Sequence, residues 1–283
     1  MATFTNQATL AYNGITVNSN TVTGNLVEVL AVTKTAVGNE YSANDTVTYI
    51  VSITNSGTAP FTGVTVTDNL GAYSFDTTTL TPLDYVADSA VYYQNGILQP
   101  APTVTSVNPL TFTGITVPAG GNAIIVYETR TNEFAPLPAL STITNVASVT
   151  AAGITTPLTD TETVTVIDEP VLSITKALNP VNVTENSELT YTFTIQNTGN
   201  SPAVATDNLV ITDTFDPILA GIVVTVDGVT LPAASYTYNE ATGEFATVPG
   251  AITVPAATFT QDPVTGNWIT TPGVTTVTVT GTV

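Results

Sequence analysis

Two lysines, two aspartates and two asparagines recur at matched places along this 283-residue chain. Lys34 closes Val32-Thr33-Lys34, Lys176 closes Ile174-Thr175-Lys176, and a tyrosine follows each fifteen residues later, at Tyr49 and Tyr191. These are the only lysines in the sequence. In a β-strand, residues i and i+2 share a face. Leu30, Val32, Lys34 and Ala36 then point one way, as do Leu172, Ile174, Lys176 and Leu178. Asp68 falls in phase with Val64, Val66 and Leu70, and Asp213 with Leu209, Ile211 and Phe215. Asn145 falls in phase with Ile143, Ala147 and Val149, and Asn6 with Phe4, Ala8 and Leu10. Six polar side chains of three types therefore point where apolar side chains point.

Burial disfavours the charged form of each group, lowering a lysine pKa and raising a carboxylate pKa by up to about 3–5 units. A neutral amine is a nucleophile. A protonated carboxyl can donate to an amide oxygen and polarise its carbon. Taken singly, each residue has a plainer account: a snorkelling or edge lysine, an aspartate capping a turn, an asparagine at a strand end. A buried Lys–Asp ion pair accounts for two of the three and leaves the asparagine without a part.

The rest of the composition narrows the chemistry. There is no His and no Cys, which removes the commonest general base, thiolate nucleophiles and disulfides. Acidic residues outnumber basic ones 22 to 3, for a formal net charge of −19. That excess argues against nucleic acid and against anionic membrane as partners. No run of 18 apolar residues suggests a membrane span, and the first residues lack the basic and apolar segments of a secretory signal. No cofactor or metal is implied. Asp207, Asp213 and Asp216 match no Ca²⁺ loop spacing. Trp268 and the pair Tyr92-Tyr93 could form a sugar-binding surface, with core or interface packing the simpler account. The chain is not expected to be an enzyme acting on external substrates.

Thr- and Val-rich segments separated by Gly, Pro and Asn turns predict an all-β protein. An internal repeat is legible. Thr46-Val47-Thr48-Tyr49 matches Glu188-Leu189-Thr190-Tyr191, Asn55-Ser56-Gly57 matches Asn197-Thr198-Gly199, and Val64 to Asp68 matches Leu209 to Asp213. The first copy ends in a strand over Thr142–Val149, and the second has no counterpart. The counterpart is Thr3–Leu10 at the other end of the chain, with Gly14-Ile15-Thr16 echoing Gly153-Ile154-Thr155. The expected organisation is a donor strand and linker over residues 1–27, a complete β-sandwich over 28–166 and an incomplete one over 167–283. An incomplete sandwich exposes a sheet edge that invites an added strand. Phe4, Ala8 and Leu10 would fill its pockets. Asn13 to Glu28 is too short to carry that strand past the first module, so the donor is expected from a second copy.

The ordered motifs Thr33-Lys34, Thr48 to Gly57, Val64 to Asp68 and Thr144 to Val149 resemble the bacterial surface repeat family known as domain of unknown function eleven. Such domains look like immunoglobulin-like stalk modules of pilins and adhesins. In similar modules a first-strand Lys and a last-strand Asn join in an isopeptide bond helped by a buried acid. The resemblance implies that role for Lys34, Asn145 and Asp68, with Glu128 as an alternative acid. The displaced repeat predicts an intermolecular counterpart in Lys176, Asn6 and Asp213. The expected protein is a subunit of an extracellular fibre on a bacterial cell or spore, polymerised head to tail with itself. The alternative is a stalk or ligand-binding piece of a surface adhesin.

Overall fold

The computed structural model describes residues 2–26 and 28–283. The N-terminal segment holds β1 (Ala2–Asn6), β2 (Thr9–Tyr12), β3 (Ile15–Asn18) and β4 (Val22–Leu26). β1 pairs with β4 and β2 with β3, all antiparallel, so the segment is one long hairpin. Asn13 and Gly14 form its tip with φ of 48° and 78°, the left-handed pair a two-residue hairpin turn requires. A one-residue irregularity interrupts the ribbon, where Ser19 N–H donates to Ala8 O at 2.9 Å and Ser19 Oγ accepts from Ala8 N–H at 3.0 Å. The stretch expected as a linker is thus a second strand.

Module 1 runs through β5 (Leu30–Val37), β6 (Glu40–Tyr41), β7 (Thr46–Asn55), β8 (Phe61–Asp68), β9 (Tyr73–Phe75), β10 (Thr78–Leu80), β11 (Leu83–Tyr85), β12 (Val91–Gln94), β13 (Ile97–Gln99), β14 (Thr103–Val107), β15 (Leu110–Val117), β16 (Gly121–Thr131), β17 (Thr142–Thr150) and β18 (Leu158–Val166). One sheet has the order β13-β12-β16-β7-β5, and the other β14-β15-β8-β17-β18-β6. Alternating residues of both inner faces fill the core, among them Tyr49, Val51, Ile53, Val66, Phe112, Ile125 and Tyr127. This is a closed immunoglobulin-like sandwich.

Module 2 runs through β19 (Leu172–Asn179), β20 (Glu188–Asn197), β21 (Thr212–Thr214), β22 (Ala220–Val226), β23 (Val229–Thr230), β24 (Tyr236–Asn239), β25 (Glu244–Thr247), β26 (Thr258–Gln261), β27 (Trp268–Thr271) and β28 (Gly273–Thr282). Its first sheet, β19-β20-β28-β22-β23, repeats the β5-β7-β16-β12-β13 path of module 1, where β11 pairs with β16 as a sixth strand. Its second sheet, β21-β25-β24, matches β8-β15-β14 and stops there. Among the described residues no strand pairs with the edge of β21 that corresponds to the β17 side of β8. The sequence predicted no counterpart of Thr142–Val149 in module 2, and in module 1 that strand is followed in the sheet by β18 and β6.

Module 2 also has an insertion. Where Val117-Pro118-Ala119 leads directly into β16, Val254-Pro255-Ala256 leads into the β26–β27 hairpin before β28. That hairpin leans on module 1. Trp268 N–H donates to Glu133 O at 2.9 Å, and Gln261 Nε2 donates to the Tyr73 hydroxyl at 2.9 Å. Asn200 Nδ2 donates across the same joint to Leu137 O at 3.1 Å and Ile167 O at 3.0 Å. Trp268 borders a cavity of about 330 Å³ whose other lining residues, Pro82, Pro136 and Ile143 among them, belong to module 1. Tyr92 is buried with its hydroxyl donating to Thr116 O at 2.6 Å.

The recurring Asn-x-Gly turn has a structural cause. Asn55 and Asn197 are buried at the ends of β7 and β20. Asn197 Nδ2 donates to Ser201 O at 2.8 Å and Pro255 O at 3.1 Å, while its Oδ1 accepts from Gly199 N–H and Val171 N–H, both at 2.9 Å. Asn55 makes three of these four, donating to Ala59 O and Pro118 O and accepting from Gly57 N–H. Removing one buried partner strands the others, at about 1–3 kcal/mol. Asn197→Ala is expected to lower unfolding free energy by about that amount in urea, with an unchanged m-value.

Candidate functional site

Lys34 enters the core of module 1 from β5, with its side chain fully buried. Its Nζ pairs with Asp68 Oδ2 and donates to the Tyr127 hydroxyl at 3.1 Å. The ammonium lies 4.5 Å from the centre of the Tyr49 ring, within cation–π range. Asp68 comes from β8 in the opposite sheet. Its Oδ2 also accepts from the Tyr127 hydroxyl, and its Oδ1 accepts from Leu70 N–H at 2.7 Å.

Asn145 comes from β17, the strand beside Asp68. Register places Ala147 opposite Asp68, so Asn145 is the next inward residue along. Such diagonal neighbours lie about 7–8 Å apart, within reach of long side chains. Asn145 is fully buried, and neither its Oδ1 nor its Nδ2 has a hydrogen-bond partner among the described residues. The Tyr49 hydroxyl is its polar neighbour, and that hydroxyl is likewise unpartnered. Leaving a buried amide unpaired costs about 1–3 kcal/mol per group, and both polar atoms of this side chain are unpaired.

Electrostatics follow burial. Desolvation holds the Lys34 ammonium below its ordinary pKa, with Asp68 opposing and Glu162 and Asp160 opposing more weakly. Desolvation also pushes the Tyr127 hydroxyl well above its usual range, and the Asp68 charge adds to that. Tyr49 shifts upward for the same primary reason. The site brings together an amine driven toward its neutral form, a carboxyl hydrogen-bonded to it, and a buried carboxamide. Glu128, the alternative acid, is exposed on the outward face of β16 and does not enter this site.

The second set differs. Lys176 pairs with Asp213 across β19 and β21, but the side chains are 40% and 18% exposed. They border an open groove of about 360 Å³ lined by Ile174, Phe193, Ile211 and Asp213. The whole of β19 is exposed, whereas the inward residues Leu30 and Lys34 of β5 are buried. The third residue type is absent from this groove. Asn6 lies on the N-terminal hairpin, exposed together with Phe4, Ala8 and Leu10. The site also holds residues outside the repeat motifs. Tyr127 shares phase with Ala123 and Ile125, a pattern that marks it as core but gives no hint of its bond to Asp68. Module 2 has Val279 in the place of Tyr127.

No family model matches the chain, and no curated protein matches it, so the resemblance to the surface repeat family rests on the quoted motifs. Solved structures with similar folds include the major pilin subunit BcpA of Bacillus cereus, at 11% identity, covering 96% of this chain and 73% of the pilin, with a TM-score of 0.37. The collagen-binding subdomain of the Enterococcus faecalis surface protein ACE is 10% identical and covers 50% of this chain and 99% of the subdomain, with a TM-score of 0.31. The CARDB domain of a Pyrococcus furiosus protein is 15% identical and covers 50% of this chain and 97% of the domain, with a TM-score of 0.28.

The buried lysine has a consequence for stability. A group whose folded pKa lies below its unfolded value binds fewer protons in the folded state, so stability rises with pH between the two values. With Asn145→Ala, Lys34 stays a free amine, and its contribution should rise as pH climbs toward 10. The Tyr49 and Tyr127 shifts have the opposite sign and oppose the trend above about pH 10. Urea unfolding of Asn145→Ala and of Lys34→Met/Asn145→Ala across pH 6–10 should give a difference that changes in that direction.

Proposed function

We propose that the chain is a structural subunit of an extracellular fibre. Copies join head to tail when the N-terminal segment of one completes module 2 of another. A Lys34–Asn145 isopeptide bond welds module 1, and a Lys176–Asn6 bond joins copies. The observation that carries this reading is the pairing of an uncovered module with a free hairpin. That hairpin repeats the sequence pattern of the β17–β18 hairpin that closes module 1.

The chemistry needs no cofactor. Neutral Lys34 Nζ attacks Asn145 Cγ while protonated Asp68 donates to the carboxamide oxygen. The Nζ–Cγ bond forms, the Cγ–Nδ2 bond breaks, and a proton from Nζ passes through Asp68 to Nδ2, which leaves as ammonia. A buried amine and an unengaged carboxamide become one neutral amide. Holding the reactants in a packed core supplies the proximity such a step requires.

Assembly has an apolar driving force. The free hairpin exposes Phe4 and Leu10 at 57% and 65%, and β19 exposes Ile174 and Leu178 at 55% and 42%. Full burial of such side chains is worth about 1.5–3 kcal/mol each. The contact joins different surfaces of the two copies, so repetition gives an open filament. One observation favours a second reading. The hairpin that closes module 1 leads straight into module 2, so the same contact could serve a tandem array inside an adhesin stalk.

Mass spectrometry of the boiled chain in denaturant separates these. Wild-type monomer should weigh one ammonia less than its sequence, and Lys34→Ala and Asp68→Ala should each restore the full mass while the fold remains. A ladder that survives denaturant and disappears with Asn6→Ala supports the bond between copies. An unchanged mass in the wild type overturns the Lys34–Asn145 bond. A chain that stays monomeric at high concentration favours the stalk.

A further inference from the structure

We infer that the acceptor on module 2 takes the whole hairpin of residues 2–26 from a second copy, with β1 extending the sheet at β21 and β4 lying over β19. This rests on the head-to-tail reading and adds to it a second donor strand and a second acceptor surface.

Module 1 supplies the template. There β17 pairs with β8, while β18 runs on the outer side of β17 and packs over β5. Lys34 N–H donates to Asp160 Oδ2 of β18 at 2.6 Å, a direct link between the covering strand and the lysine strand. The cover on β5 is therefore the second strand of the hairpin. A lone strand added to β21 would repeat β17 and leave β19 bare.

The free hairpin reproduces the template pair by pair. Val149 faces Leu158 in module 1, and Leu10 faces Val17 in the hairpin. Asn145 faces Glu162, and Asn6 faces Val22. Ile143 faces Val164, and Phe4 faces Gly24. The last exchange redistributes volume across the pair, which packing tolerates. A Cβ on Gly24 would collide with the Phe4 ring, so glycine is what lets that ring lie across β4.

The differences fit the acceptor. β18 carries Asp160 and Glu162 on its inward face, over Val32, Lys34 and Ala36. β4 carries the apolar Val22 at the register position of Glu162. Its target β19 carries Ile174 and Leu178 where β5 has Val32 and Ala36. A more apolar donor thus meets a more apolar acceptor, and burying unpaired carboxylates against Ile174 and Leu178 would be costly. The occupant is the hairpin of a second copy. Residues 27–29 alone separate β4 from β5 and span about 11 Å at most. The ten-residue strands of module 1 run about 33 Å.

The test uses the full chain. Val22 is exposed on the apolar face of the free hairpin, and Thr23 lies on the opposite face beside Thr5. Polymer growth is followed by light scattering and by the denaturant-resistant ladder, with monomer melting as the control for folding. Val22→Glu should slow growth about tenfold or more, a loss of at least about 1.4 kcal/mol, while Thr23→Glu and Val22→Ile should grow like wild type. If Val22→Glu grows normally while Phe4→Glu does not, a single strand is the donor and the inference fails alone. If the wild type does not polymerise, the head-to-tail reading fails and this inference with it.

Discussion

A lysine on the inward face of a sandwich is buried only where another element covers that face. Every unusual feature of this chain follows from where that cover comes from. In module 1 it is β17–β18, which buries Lys34 and brings Asn145 beside Asp68. In module 2 the same hairpin is absent, and Lys176 with all of β19 is left facing solvent. The core of module 2 is nonetheless well filled below that gap. Tyr191 stacks on Phe215 with ring centres 4.8 Å apart, and Phe245 packs on Phe215 at 5.5 Å. The missing hairpin therefore removes one wall of the sandwich and leaves the rest.

Much of this was legible in the sequence because β-structure encodes burial with a period of two. Lys34, Asp68 and Asn145 each sat in an apolar phase, and the structure buries all three. The displaced repeat at Thr3–Leu10 was visible because it preserves that phase. Three parts were not legible. Residues 15–26 read as a strand-rich link, whereas they pair back on the first strand through a bulge that shifts register by one residue. The β26–β27 insertion has no counterpart in module 1, so comparing the repeats could not assign it a partner. Tyr127 is a third case. Periodicity marks a tyrosine as core, but its bond to Asp68 depends on β16 and β8 lying in opposite sheets.

The two modules also differ in how their joints are made. Between modules 1 and 2, Trp268, Gln261 and Asn200 add direct hydrogen bonds to the hairpin connection. Module 1 has no β26–β27 insertion, and Thr58 stands where module 2 has Asn200. A joint formed by the free hairpin would lack those clamps and would depend on the hairpin itself. Surface ion pairs cannot substitute, since the chain has only three basic residues. With a net charge of −19, copies repel one another until the apolar faces meet. In such an assembly a covalent bond at Lys176 has most to contribute where non-covalent contacts are fewest.

The proposed reaction draws its three groups from three strands, β5, β8 and β17. Two of them meet once the two sheets pack, and the third comes with the closing hairpin. In module 1 the bond would then form only after the last strand has docked, so the weld follows folding rather than trapping an intermediate. In module 2 the same ordering would move from folding to assembly: Lys176 and Asp213 are already together, and in the proposed fibre the carboxamide would arrive with another molecule. One arrangement of residues would therefore act within a chain or between chains, according to which chain the hairpin belongs to.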